Sequence, residues 1–200
     1  IGSMAMGLAL FTVAGLAGAI FYLVHHIVAK TGLFLVAGLV EHVGGSTRLQ
    51  RLGGLVRTHP GIAVLFAVPA LSLAGMPPFS GFVAKLALVE AGFAAGQPVI
   101  VWVSLLTAAL TVYSLVKVWS AVFWSPAAGA APAPGPTPVT DPLPDADRAE
   151  PPPLLMVLPT AAMVALGVAV MVASGPLYDF SERAAANLLG VQPYLDAVLR

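Results

Sequence analysis

The 200-residue chain contains no cysteine and few charged side chains. Without cysteine it has no disulfides, no thiolate nucleophile and no cysteine-held cluster. Charged residues make up 9% of the chain, whereas a typical soluble domain carries about a quarter. The 9 basic and 9 acidic side chains balance, so no basic surface indicates nucleic-acid binding.

Sequence motifs for catalysis are also absent. The chain has no phosphate-binding loop, no paired catalytic carboxylates and no nucleophile elbow. His25 and His26 are adjacent, and adjacent residues of a helix point about 100° apart, so they make a poor metal pair. We therefore predict a protein that is not an enzyme and that binds no cofactor and no metal.

Long apolar runs are what the chain does have. Hydrophobic residues make up 58% of it, in continuous runs that do not alternate with a period of two. This predicts an all-α, polytopic membrane protein with about five transmembrane helices. The first apolar run follows Ile1 without a basic flank, which is unlike a signal peptide, and we expect the chain to be a piece of a longer protein.

The first forty residues are about twice as long as one bilayer crossing requires. Gly15 and Gly18 therefore predict a break between a remnant helix over 1–13 and a long helix over 16–41. The polar loop that follows carries an excess of arginine, which marks the cytoplasmic side of a membrane. Its arginines are Arg48, Arg51 and Arg57.

A broken helix over 61–96 and a helix over 99–124 complete a predicted transmembrane core of residues 1–124. Proline removes a backbone donor and disfavours helical geometry in the residue before it. Each half of the broken segment is short for a full crossing, which favours one broken helix over a tight turn between two crossings. The residues that predict the break are Gly75, Pro77, Pro78 and Gly81.

Three segments follow the predicted core. Residues 125–153 are a linker rich in proline and alanine, and residues 154–174 are the last transmembrane helix. Residues 175–200 predict an amphipathic tail at the membrane face, or a contact for a neighbouring subunit. With the broken helix as one crossing, the arginine loop and the linker lie inside and the tail outside. The apolar side chains of the tail are Leu177, Phe180, Ala184, Leu188 and Val191.

Ionisable side chains inside the apolar runs predict a proton relay. His26 and Lys30 are one helical turn apart, Lys85 follows the break by two turns, and His25 adjoins His26. Buried amines and imidazoles without a charged partner can exchange protons near neutral pH, and the break would admit the water that links them. Lys117 is close enough to a helix end to snorkel, so relay and snorkelling remain equal alternatives for it.

Several of these segments resemble the antiporter-like family. Residues 21–35, 52–55 and 73–85 carry the resemblance, and they include the histidines, the lysines and the broken helix. This family comprises the large proton-channel subunits of respiratory complex I and of Mrp-type multisubunit cation/proton antiporters. Residues 113–124 and 194–199 are more similar to the Mrp branch.

The resemblance implies a fold of about fourteen helices, of which this chain would hold the C-terminal part. It assigns proton relay to His26, Lys30 and Lys85. The implied partners are other subunits of the complex, the N-terminal part of the same subunit, the lipid bilayer, protons and Na⁺, in the plasma membrane of a prokaryote. We expect a proton-translocating subunit of a multisubunit Na⁺/proton antiporter. The alternatives are a proton-channel subunit of an NADH-quinone oxidoreductase and an inert structural scaffold.

Overall fold

The computed structural model of the chain describes residues 2–126, 152–190 and 198, which are almost entirely helical and contain no strand. Most of the predicted linker, and Val191 of the predicted tail, lie outside the described residues. The helices are α1 (Gly2–Ala9), α2 (Val13–Gly44), α3 (Leu55–Thr58), α4 (Pro60–Ala74), α5 (Ser80–Ala94), α6 (Pro98–Trp119), α7 (Leu154–Val172) and α8 (Ser174–Leu189); a 3-10 turn spans Leu49–Arg51 and a π turn spans Ser120–Trp124.

α2 is the axis of the fold. Its 32 residues reach about 48 Å at the helical rise of 1.5 Å per residue, which exceeds the roughly 30 Å of a bilayer core. α1, α4, α5, α7 and α8 all pack against it. Among the described residues, α2, α6 with its π turn, and α7 are long and apolar enough to cross a membrane, and α4 is a shorter apolar helix.

α4 and α5 lie end to end along α2 and run in the opposite direction. The chain leaves α4 after Ala74 and enters α5 at Ser80, so the pair is one crossing interrupted at the Gly-Met-Pro-Pro sequence, as predicted. Gly81, which we expected in the break, is instead the second residue of α5. Three contacts in order along α2 define the alignment, namely Gly32 with Pro69, His25 with Ser80, and Gly18 with Leu88.

The break between α1 and α2 lies at residues 10–12 and not at Gly15 and Gly18, where the sequence predicted it. Phe11 adopts a positive φ of 48°, and the Thr12 hydroxyl accepts a hydrogen bond of 3.1 Å from the backbone N–H of Gly15. The glycines stay helical because helices pack closely over them. A Cβ atom at Gly18 would lie 3.0 Å from a leucine of α5.

α7 and α8 also follow α2, with an interruption at Ala173. Ala185 of α8 packs against Leu16 and Ala17 of α2 and is 0% exposed, whereas Phe180 and Leu188 of the predicted apolar stripe are exposed. A small side chain at this position allows the two helices to approach closely. Tyr178 of α8 also makes an edge contact with Phe21 of α2, with ring centroids 6.0 Å apart, and Leu177 and Leu189 pack into the same apolar clusters.

The arginine loop and the start of the linker lie at the same end of the bundle. The π turn after α6 packs against α3 and against the 3-10 turn. A Cβ atom at Gly53 would meet the backbone of Pro126. If α4 and α5 together cross the bundle once, α6 returns the chain to the end where the arginine loop lies. The shared position of the loop and the start of the linker agrees with this.

Candidate functional site

His25 lies on a closed side of α2 and is 2% exposed. Its Nδ1 atom is 2.9 Å from Ser80 Oγ, and Ser80 Oγ is 3.4 Å from Ser72 Oγ. Ser72 lies in the last turn of α4 and Ser80 begins α5, so these three side chains join α2 to both ends of the break. The Nε2 atom of His25 is buried and has no hydrogen-bond partner among the described residues.

The cavity beside His25 is very small. Its volume is about 10 Å³, which is near the lower limit for one water molecule. α7 contributes to its lining through Val164, Gly167 and Val170. Most of the remaining lining is apolar, so this side of α2 is tightly packed.

Gly81 fits closely between α4 and α2. A Cβ atom at this position would clash with the carbonyl oxygen of Ser72, and it would lie 2.9 Å from Nε2 of His25. A residue with any side chain would therefore have to push α5 away from its neighbours. Glycine is required here for close approach.

His26 faces another side of α2 and lines a cavity of about 480 Å³. Its ring stacks on the Tyr22 ring, with centroids 5.9 Å apart and an angle of 25° between the planes. Ser104, Thr107 and Thr111 of α6 line the same cavity. The two threonine hydroxyls each donate to a carbonyl four residues earlier, at 2.9 Å, which leaves their oxygen atoms as acceptors for water.

Lys85 lines the same cavity as His26. Its Nζ atom donates to the carbonyl oxygen of Ala74 at 2.6 Å and to that of Leu73 at 3.3 Å. These are the last two carbonyls of α4, which lack helical partners because the helix ends there. The lysine therefore caps the end of α4 from α5, and its amine lies where the break meets the cavity.

Two of the predicted relay lysines do not line this cavity. Lys30 is exposed on the surface of the chain, because α2 turns Ala29 and Gly32 toward its neighbours instead. Lys117 is exposed on α6, and its Nζ atom lies 5.7 Å from the centroid of the Tyr113 ring. Of the five ionisable residues predicted for the relay, the cavity brings together His26 and Lys85.

The hydroxyl groups were not among the residues that the sequence predicted for the site. Ser72 and Ser80 flank the break, and Ser104, Thr107 and Thr111 recur at helical spacing on α6. Hydroxyl side chains that recur in this way within apolar helices were an available signal. Within the described ranges, no group of three or more His, Asp or Glu side chains is placed to hold a metal ion.

Residues 1–111 match the family model described as NADH:quinone oxidoreductase/Mrp antiporter, TM. The chain belongs to this family. All 200 of its residues align with two Na(+)/H(+) antiporter subunits, at 36% identity for that of Alkalihalophilus pseudofirmus strain OF4 and 32% for that of Bacillus subtilis strain 168. The fold also matches a chain of the solved Mrp complex from Dietzia sp. DQ12-45-1b, with a TM-score of 0.80 and 35% identity.

The matches cover all of this chain, or 98% of it for the solved structure, but 38% of each named relative and 42% of the Dietzia chain. The chain therefore spans about two fifths of the length of these family members. The comparisons confirm the resemblance to the antiporter-like family and the all-α, multi-pass membrane fold. The named relatives are antiporter subunits, which are transporter components and not enzymes.

Proposed function

We propose that this chain forms part of the proton path of a Na⁺/proton antiporter subunit in the plasma membrane of a prokaryote. It would act together with the rest of its own subunit and with the other subunits of an Mrp-type complex. The observation that carries the proposal is that His26 and Lys85, from two different helices, line one cavity beside the broken helix. Two proton-exchanging groups and a space for water are what a relay requires.

Lys85 has a suitable geometry for holding and releasing a proton. A protonated lysine has three N–H donors, and two of them are directed to the Ala74 and Leu73 carbonyls. The third is available to water in the cavity. After losing one proton the amine still has two donors, so it can remain bound to both carbonyls. The broken helix thus provides a fixed binding position for the lysine amine in both protonation states.

His26 and Lys30 would extend the path along α2. Imidazole can accept a proton at one nitrogen and release one from the other, and the stacked Tyr22 ring fixes its orientation. Lys30 is one turn beyond His26 and is exposed on the surface of this chain. We propose that it exchanges protons there with the part of the subunit that this chain does not span.

The family also contains subunits of NADH:quinone oxidoreductases, in which the same groups would pump protons without antiport. The alignments of all 200 residues of this chain to parts of two antiporter subunits favour the antiporter function. A third alternative, an inert scaffold, gives the lysines no role in transport. One experiment separates the three.

The test is Lys85→Ala in the whole subunit, assembled in its complex in inverted membrane vesicles. We expect at least about a hundredfold loss of the Na⁺-induced change in vesicle pH, because general acid–base groups typically contribute 10² or more. Lys117→Ala is the matched control, since it removes an exposed lysine that does not line the cavity, and it should retain most of the activity.

The amount of assembled complex is measured on native gels, so that loss of transport is separated from loss of protein. If Lys85→Ala retains full antiport, the proton path does not include this lysine and the proposed function is overturned, as the scaffold alternative expects. If NADH drives proton uptake and Na⁺ induces none, the complex is an oxidoreductase.

A further inference from the structure

His25 and His26 are adjacent in sequence, but their surroundings differ, and this difference carries an inference that rests on the proposed function. We propose that His25 is a positioning residue that holds the start of α5, and with it Lys85, against α2. It does so through its bond to Ser80 and does not carry a translocated proton. His26, on the cavity side, is the histidine of the path.

His25 lacks the access that a relay residue needs. A proton must have a route on each side of the imidazole, but Nδ1 of His25 is occupied by Ser80 and Nε2 is buried against Gly81. In the described part of the chain, His25 does not line the cavity of about 480 Å³ that holds His26 and Lys85. Among the described residues, His25 lines the cavity of about 10 Å³ instead.

His25 also has a mechanical connection to the lysine. Ser80 is the first residue of α5, and no side chain in the described part of the molecule caps the N-terminus of this helix. The bond between His25 and Ser80 therefore ties the free end of α5 to the long helix α2. Lys85 lies five residues further along α5, so a shift of the helix start displaces its amine from the Ala74 carbonyl. Displacements of about 1 Å can lower rates by 10² when geometry governs the reaction.

His25→Asn and His25→Leu separate positioning from proton transfer. The asparagine amide occupies the position of the histidine Nδ1 atom, so it can keep the bond to Ser80, but it does not titrate. Leucine fills a similar space and has no polar atom. Both variants are made in the whole subunit and assayed in the assembled complex, with antiport measured across a range of pH.

We expect His25→Leu to lower the antiport rate about tenfold, which corresponds to the loss of one buried hydrogen bond. His25→Asn should restore the rate to within about threefold of wild type, with an unchanged pH profile. Ser80→Ala should resemble His25→Leu, and the double variant should be no worse than either, because both remove one interaction.

The inference is overturned if His25→Asn is as inactive as His25→Leu while the complex is assembled. It is also overturned if His25→Leu is fully active. If the leucine variant does not assemble, the antiport rate of His25→Asn relative to wild type still tests the positioning role. Retained antiport in Lys85→Ala would overturn the proposed function itself. If both Lys85→Ala and His25→Asn lose antiport, only the positioning role is overturned.

Discussion

The two sides of α2 differ in the space that they leave next to a histidine. On one side His25 is bound to Ser80 and lies beside about 10 Å³ of space. On the other side His26 lines about 480 Å³ together with Lys85 and the hydroxyl groups of α6. One residue step rotates the side chain by about 100°, and this is enough to move an imidazole from a packed contact to a polar cavity.

The broken helix serves a different purpose on each of these sides. On the side of α2 that carries His25, which we call the packed side, the break brings the end of α4 and the start of α5 together. Hydroxyl groups join these two helix ends to α2. On the side that carries His26, which we call the open side, the same break exposes two carbonyls that bind Lys85. The packed side fixes the positions of the two helix ends, and the open side holds the lysine that we propose exchanges protons.

Among the substitutions that test the contrast between the two sides of α2, Gly81→Ala is expected to have the largest effect, because it disrupts the packed side. The new methyl group would clash with the carbonyl oxygen of Ser72, and backbone cannot move aside as a flexible side chain can. Overpacking typically costs about 1–3 kcal/mol, and a clash with backbone lies at the upper end. We expect the amount of assembled complex on native gels to fall at least about tenfold.

Gly61→Ala is the control for this prediction, because nothing lies within 4 Å of the position of its Cβ atom. It should assemble at wild-type levels. Normal assembly and transport in Gly81→Ala would show that the packed side is more adaptable than its contacts indicate, and the contrast between the two sides of α2 would lose its basis.

The sequence predicted the break and the apolar crossings because both depend on local chemistry. Proline and glycine interrupt a helix wherever they occur together, and a long apolar run needs a membrane. The roles of Gly15 and Gly18 were not predictable in this way, since glycine either ends a membrane helix or lets another helix approach it, and only the neighbour decides. The partnership of Ser72 and Ser80 with His25 likewise depends on three helices that meet only in the fold.

Ala108→Phe tests the open side and should have the second largest effect. Ala108 is half-buried and lines the cavity of His26 and Lys85, so a phenyl ring there displaces water from the proposed path. Apolar constrictions interrupt conduction by removing water, and we expect antiport to fall about tenfold while the complex still assembles.

Gly167→Ala is the matched change on the packed side. Its Cβ atom would lie at an ordinary distance of 3.7 Å from the side chain of Val28, within the lining of the small cavity beside His25. We expect less than about a twofold change in antiport, because no proton path is proposed there. Equal losses from Ala108→Phe and Gly167→Ala would mean that both sides of α2 conduct.

Thr111→Val should cause a smaller loss than Ala108→Phe and gives the finest test of the open side. Valine keeps the shape of threonine but removes the hydroxyl oxygen that can accept a hydrogen bond from cavity water. We expect antiport to fall about threefold, which is at the low end of the contribution of one hydrogen bond. Ser114→Ala removes a hydroxyl that donates to the carbonyl of Leu110 at 3.0 Å, just as the Thr111 hydroxyl donates to that of Thr107, but it lies outside the cavity lining. If both variants lose activity equally, the effect belongs to the α6 backbone. A loss confined to Thr111→Val assigns it to water in the cavity.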